Sequence, residues 1–267
     1  MSAGGRSLER FEDRWETEMG EWVPGKRVFF REHDLHRDLL RSSWIEVYTY
    51  GITGRRYDER TLRMMNAMWV ATSFPEPRIW NNRVASLAGT ARTTGNLGIS
   101  AAMAVSEASI FGRRPDIRTM DFLRRARRRR EQGEDPGDIV RDELRRYRGL
   151  SGYGRPVTNV DERIPHVMEV ARELGFDRGP FVRLAFEIEE ALQQGRWRMK
   201  MNYAGLAAAL CADMGMSPRE YYAFTYPVFL AGMWPCFIEA SRKEEGSFFP
   251  LRCARVEYDG PEPRRWE

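Results

Sequence analysis

Apolar residues recur along most of this chain every three or four positions, the period of an α-helix that buries one face. The clearest run is Leu62, Met65, Met68 and Trp69, with Asp58 placed to cap it. The same spacing predicts a helix through Trp44, Val47 and Tyr48, and charged helices over Met120 to Gln132 and Pro136 to Tyr147. Amphipathic helices are expected over Val167 to Leu174 and Phe181 to Leu192, and a small-residue helix over Asn202 to Met214, closed by Gly215. Ser217-Pro218-Arg219-Glu220 joins a serine cap, a proline in the first turn and a carboxylate at the third position, which opens a helix. The helix expected from it, Tyr221 to Arg242, is almost wholly apolar and should be buried. Trp80 to Phe111 is rich in Ala, Gly and Ser; small residues let helices approach closely, which places this stretch at the centre of the molecule. Strand signals are few, with Val28-Phe29-Phe30-Arg31 one short candidate, and residues 1–25 read as a polar arm. The fold class is all-α.

One stretch departs from the helical pattern. Gly152-Tyr153-Gly154-Arg155-Pro156, followed by Asp161-Glu162-Arg163, is a loop in which glycine permits close backbone approach and proline fixes the exit. Such a polar loop between helices is where chemistry would sit. Composition narrows the partners: 43 Lys and Arg against 39 Asp and Glu give a net charge of +4, too mild to imply nucleic acid. The arginines between Arg124 and Arg130 read as a solvated helix face, since Glu131, Glu134, Asp135 and Asp138 follow at once. Cys211, Cys236 and Cys253 have neither metal spacing nor a disulfide framework, and no segment approaches eighteen uncharged apolar residues. A cytoplasmic location without a membrane partner or a bound metal is the expectation.

The order of these pieces resembles citrate synthase over nearly the whole chain, from about Val28 to Pro261. His33-Asp34-Leu35 is similar to the family's Tyr-Asp-Leu, Ile52-Thr53-Gly54-Arg55 to its Leu-Thr-Gly-Arg, and Gly152-Tyr153-Gly154 to the Gly-Phe-Gly before a catalytic histidine. Asp161-Glu162-Arg163 resembles Asp-Pro-Arg, Tyr203-Ala204-Gly205 resembles Tyr-Ser-Gly, Gly215-Met216-Ser217-Pro218 resembles Gly-Ile-Pro-Pro, and Glu257-Tyr258-Asp259-Gly260-Pro261 resembles the family's terminus. The resemblance implies an all-α homodimer. It implies a large helical domain, 26–115 with 217–267, a smaller one, 116–216, and an active-site cleft between them. It also implies carbon-carbon bond formation or cleavage beside an acyl-CoA thioester, the CoA entering as substrate and not as a permanently bound cofactor.

The family's usual groups are not at the matching positions. Arg155 stands where the loop histidine is expected, Met201 where the aspartate base is expected, and Phe229 near a late-helix arginine. His33, His36 and His166 all lie outside the three loops that carry family histidines. Arginine can donate hydrogen bonds but cannot give up its proton, so Arg155 could polarise a carbonyl and not act as a general acid. Polar residues nevertheless gather at the matching positions. The candidate catalytic residues are Arg155, Asn82 and Asp116, and the candidate ligand-holding residues are Arg163, Asn81, Arg114 and Asp161. The partner expected is a small carboxylate or an acyl-CoA, and nucleic acid is not expected. The alternative is a non-catalytic homologue that keeps the fold and binds or regulates.

Overall fold

The computed structural model describes residues 8–110, 112–155, 158–247, 253–255, 257, 259–262 and 264–265. The chain divides into two compact units, Met1–Asn66 and Ala67–Glu267.

The first unit holds an antiparallel meander, β1 (Gly20–Val23), β2 (Arg27–Phe30) and β3 (His33–Asp34), in the order β1-β2-β3. Trp22 stands opposite Val28 and Phe29 opposite Asp34. The strand expected at Val28 to Arg31 is there one residue earlier, and the arm expected over residues 1–25 supplies its partner strand. Helix α1 (Trp44–Thr53) follows, capped by the Ser43 hydroxyl, which accepts from the Glu46 amide. Phe30 lies against it, its ring centroid 5.8 Å from that of Tyr50. The Asp58 cap is present, its carboxylate accepting from the Thr61 amide at 2.8 Å, and α2 (Glu59–Thr72) runs on from it.

The second unit contains two groups of helices. In one, α3 (Trp80–Thr90), α4 (Gly95–Val105) and α11 (Leu230–Ser241) pack round Ala85, Ile99, Ala102, Met103 and Met233. Two expectations change here. Tyr221 to Arg242 is not one buried helix: α10 (Pro218–Phe224) ends before Pro227, a 3₁₀ turn covers Pro227–Phe229, and α11 leaves Trp234 and Ile238 exposed. Proline has no amide hydrogen to continue the ladder, and its ring crowds the preceding turn. In the Trp80 to Phe111 segment the small residues Ala85, Gly89, Gly98 and Ala102 do face inwards, but α4 turns Leu97, Ala101, Ala104 and Val105 outwards, so only part of the segment is central.

The centre of the other group is α9 (Tyr203–Asp213), in which Leu206, Ala208, Ala209, Leu210 and Cys211 have no accessible surface. Against it lie α5 (Arg113–Glu131), α7 (Arg163–Glu173) and α8 (Pro180–Gln194), while α6 (Pro136–Tyr147) rests on α8 and α10 on α5. The Asn202 side chain caps α9, accepting from the Ala204 and Gly205 amides. The arginine run of α5 is a lattice rather than a solvated face. Arg125 grips Glu143 of α6 through two bonds of 2.9 and 2.8 Å, Arg129 binds Glu134 and Asp142, and Arg130 reaches Glu187 of α8.

Close backbone contact sets the loop that precedes α7. Gly152 has φ +90°, and a Cβ there would stand 2.6 Å from Thr119 Cγ2 and 3.1 Å from the Gly205 Cα. Gly205 answers it, since a Cβ there would meet the Gly152 carbonyl oxygen at 2.6 Å. Gly152→Ala combines a left-handed backbone with a clash against two helices, so it should lower stability by about 2–4 kcal/mol in urea unfolding.

Candidate functional site

The Gly-Tyr-Gly loop is stitched to the residues entering α9. Tyr153 forms an antiparallel bridge with Met201; the Gly154 amide donates to the Lys200 carbonyl at 2.7 Å, and the Asn202 amide to that of Gly152 at 2.9 Å. Asn202 Nδ2 donates to the Gly154 carbonyl at 2.9 Å, and the Tyr153 hydroxyl to the Ala185 carbonyl at 2.9 Å. Arg155 therefore leaves a fixed point. Its Nη1 donates to the Val160 carbonyl at 3.0 Å and to Glu162 Oε2 at 2.5 Å. Met201, where the family resemblance expects an aspartate, is 2% exposed and packs beneath Gly205.

Asp161 is the anchor of the next stretch. Its side chain has no accessible surface, and its carboxylate accepts four bonds: from the Arg163 amide at 3.2 Å, Nε at 2.8 Å and Nη2 at 2.7 Å, and from the Tyr203 amide at 2.8 Å. Burial pushes this carboxyl up, but the Arg163 bonds and charge and the two amides outweigh it and hold it below the usual carboxylate range. A carboxylate so fully engaged positions its neighbours and is a poor base. The Arg163 guanidinium lies 4.6 Å from the centre of the Tyr203 ring, whose hydroxyl donates to the Met68 carbonyl at 2.8 Å. Two χ angles of tyrosine and a two-toothed carboxylate thus fix where Arg163 points, with about a third of its side chain accessible.

Asp116 is the contrasting carboxylate. It sits in the first turn of α5, part-buried, and among the described residues it has no hydrogen-bond or ion-pair partner. Burial pushes it up to about 7, against the opposing pull of the Arg113 and Arg163 charges. Burial raises the thiol of Cys211 and the hydroxyl of Tyr221, and the Asp116 charge adds to both, so Asp116 lies within the field of residues on α9 and α10. The fold thus brings Asp116, Asp161 and Arg163 into one electrostatic neighbourhood, with Arg155 3.9 Å from Asp161.

The asparagines are committed elsewhere. Asn82 Nδ2 donates to the carbonyls of Phe74 at 2.8 Å and Glu76 at 3.3 Å, holding the turn before α3; Asn81 Nδ2 donates to Ser106 Oγ at 3.1 Å. Both are almost fully buried. Arg114 is exposed and donates to Ser109 Oγ. Its neighbour Arg113, absent from the sequence candidates, is 2% exposed, bonded to Glu107 at 2.8 Å and stacked 3.7 Å from the Tyr222 ring centre. Nothing in an Arg-Arg pair says which member turns inward; Gly112 decides it, its φ of +79° carrying the chain past Ser106. His166, on α7, is exposed.

A groove of about 730 Å³ lies between α6 and α8, lined by Arg141, Leu144, Leu192 and Trp197 among others, and none of the predicted site residues borders it. Its rim is close to charge balance, with Arg130 paired to Glu187 and Arg141 to Asp138. The described residues contain no group of three or more His, Cys, Asp or Glu placed to hold a metal ion.

No family profile matches the chain, and no curated protein matches it by sequence. Solved structures do. Citryl-CoA lyase from Hydrogenobacter thermophilus superposes with a TM-score of 0.82 at 23% identity, over 95% of this chain and 97% of that one. The chain has the citrate synthase-like fold. ATP citrate lyase from Methanosaeta concilii, solved with (3S)-citryl-CoA, matches at TM-score 0.76 and 15% identity, and citrate synthase from Thermotoga maritima at 0.65 and 18%. The ATP citrate lyase match spans 98% of this chain and 45% of that one, and the citrate synthase match 84% and 59%. At these identities the likeness carries the citrate synthase-like fold; the chemistry rests on the residues.

Asp116 generates a pH signature. Its folded value lies above that of the unfolded chain, so the native state holds this proton more tightly and stability falls as pH rises from about 4 to 7. Asp116→Asn should flatten that segment of the stability profile and raise stability at pH 7 by about 2 kcal/mol or more in urea unfolding.

Proposed function

We propose that this chain is a citrate synthase-like enzyme with a rebuilt active site, acting on an acyl-CoA or related carboxylated or carbonyl substrate in carbon-carbon bond formation or cleavage. The carrying observation is the part-exposed Asp116 carboxyl, unpaired among the described residues and pushed up by burial to about 7, within the field of the fixed Arg163 guanidinium. A carboxyl titrating near working pH exchanges a proton efficiently in both directions, which a base placed α to a thioester carbonyl must do. In the forming direction Asp116 takes the α-proton, the enolate carbon attacks the acceptor carbonyl, and the alkoxide formed takes up a proton. Arg163 holds an acceptor carboxylate. Arg155, with Nε and Nη2 free of hydrogen bonds among the described residues, donates to the enolate or carboxylate oxygen. Asn81, Asn82, Arg114 and Asp161 then serve as framework, by the bonds they already make. The structures solved with citryl-CoA or with citrate and coenzyme A support this substrate class by likeness of fold.

The domain division belongs to the same reading: 26–115 with 217–267 as the larger part and 116–216 as the smaller. So does the homodimer, since α4 presents Leu97, Ala101, Ala104 and Val105 beside the exposed Trp234 and Ile238 of α11. Among the described residues no helix is long and apolar enough to cross a membrane. The free, buried Cys211 and Cys236 support a cytoplasmic setting. A second reading, a non-catalytic ligand-binding homologue, draws on the buried Met201 at the position of the expected base.

Citryl-CoA supplied to the purified protein, with acyl products followed by chromatography, separates the two. The enzyme reading expects turnover that Asp116→Asn lowers about 100-fold or more while binding persists, with loss of a pH-rate limb near 7. Binding without turnover selects the second reading. Leu97→Glu with Val105→Glu should yield a monomer in sedimentation velocity, where the unmodified chain sediments as a dimer.

A further inference from the structure

We infer that Glu162 is an internal competitor for the ligand, its carboxylate occupying on Arg155 the place that a substrate carboxylate takes. This rests on the reading of Arg155 as an anion-holding residue and adds the device that sets what it accepts.

The geometry is uneven in a telling way. The Arg155 side chain is 28% exposed, whereas that of Glu162 is 71% exposed, so the carboxylate approaches from the solvent side, as an incoming anion would. Among the described residues the guanidinium is used through Nη1, by Glu162 at 2.5 Å and the Val160 carbonyl at 3.0 Å, with Asp161 Oδ1 at 3.9 Å. Nη2 and Nε, without a hydrogen bond among those residues, can take a second, two-toothed partner. Besides Arg155, the Glu162 carboxylate is engaged among the described residues only by its own amide. Glu162 is the residue preceding α7, and its side chain caps no amide of that helix. Asp161, next to it, faces inwards and has all its capacity spent on Arg163 and Tyr203. The two adjacent carboxylates therefore divide the work: Asp161 fixes one arginine permanently, and Glu162 covers the other provisionally. An exposed ion pair is weak, so a ligand carboxylate displaces it readily. Displacing Glu162 costs every anionic ligand the same ion pair; a ligand with one carboxylate gains little beyond that exchange, whereas one with two or three also engages Arg163. Glu162 thus sets a threshold of affinity that a polycarboxylate clears.

The test uses citrate as probe, with calorimetric titration of the full chain at low ionic strength. Glu162→Gln and Glu162→Ala should bind citrate about three- to fivefold more tightly. They should bind acetate more tightly as well, and the gain should shrink at 0.5 M salt. Arg155→Ala should weaken citrate binding, and adding Glu162→Gln to it should change nothing further. Citrate affinity unchanged or reduced in both Glu162 variants, while Arg155→Ala weakens binding, overturns the competitor and leaves the site standing. No citrate binding by any of these proteins, or binding untouched by Arg155→Ala and Arg163→Gln, overturns the site and the competitor together.

Discussion

The site depends on one buried carboxylate. Asp161 gathers the Arg163 guanidinium, the Arg163 amide and the Tyr203 amide, and so ties the first turn of α7 to the first turn of α9. Burying a charge of this kind is costly unless every lone pair is engaged, and here four donors engage it. The consequence is a rigid pair of helix starts. Tyr203 extends the rigidity through its ring and its bond to the Met68 carbonyl, and the Gly152 and Gly205 backbones lock the loop on the other side. Arg163 then meets the site in one orientation.

Around that fixed pair, the two other charged groups are loosely held. Among the described residues Asp116 has no bonding partner and Arg155 is held from one nitrogen only. A folded chain gains nothing from leaving a carboxyl unpartnered among packed helices. Such groups cluster where a ligand or a reaction supplies what the fold withholds. The division between engaged and unengaged groups, more than the residue types themselves, is what distinguishes scaffold from chemistry here.

Much of the architecture was legible in the sequence, because helical periodicity, the Asp58 and Ser217 caps and Gly215 are local signals that packing did not override. The glycines of Gly152-Tyr153-Gly154 marked the loop, and the structure sets it beside α9. What failed were inferences from composition to depth. Small residues in Trp80 to Phe111 and apolar ones in Tyr221 to Arg242 looked central, yet α4 and α11 expose part of each, because composition does not say which side of a helix faces its neighbours. Asn81 and Asn82 read as ligand donors since sequence shows a polar side chain but not its partner, and the partners, Ser106, Phe74 and Glu76, come from turns that only folding brings near. Arg113 was hidden for the same reason: its stacking on Tyr222 spans 109 positions.

The arginine lattice of α5 carries an implication for heat. Its bonds to Glu143, Glu134, Asp142 and Glu187 join three helices through charges that are mostly half-hydrated. Stripping water from ions becomes less unfavourable as temperature climbs, while apolar burial gains little more. The helical group around α9 is therefore built to tighten relative to its apolar neighbours on warming, so that α3, α4 and α11, which cohere through methyl groups and aromatic rings, should be the part that loosens first.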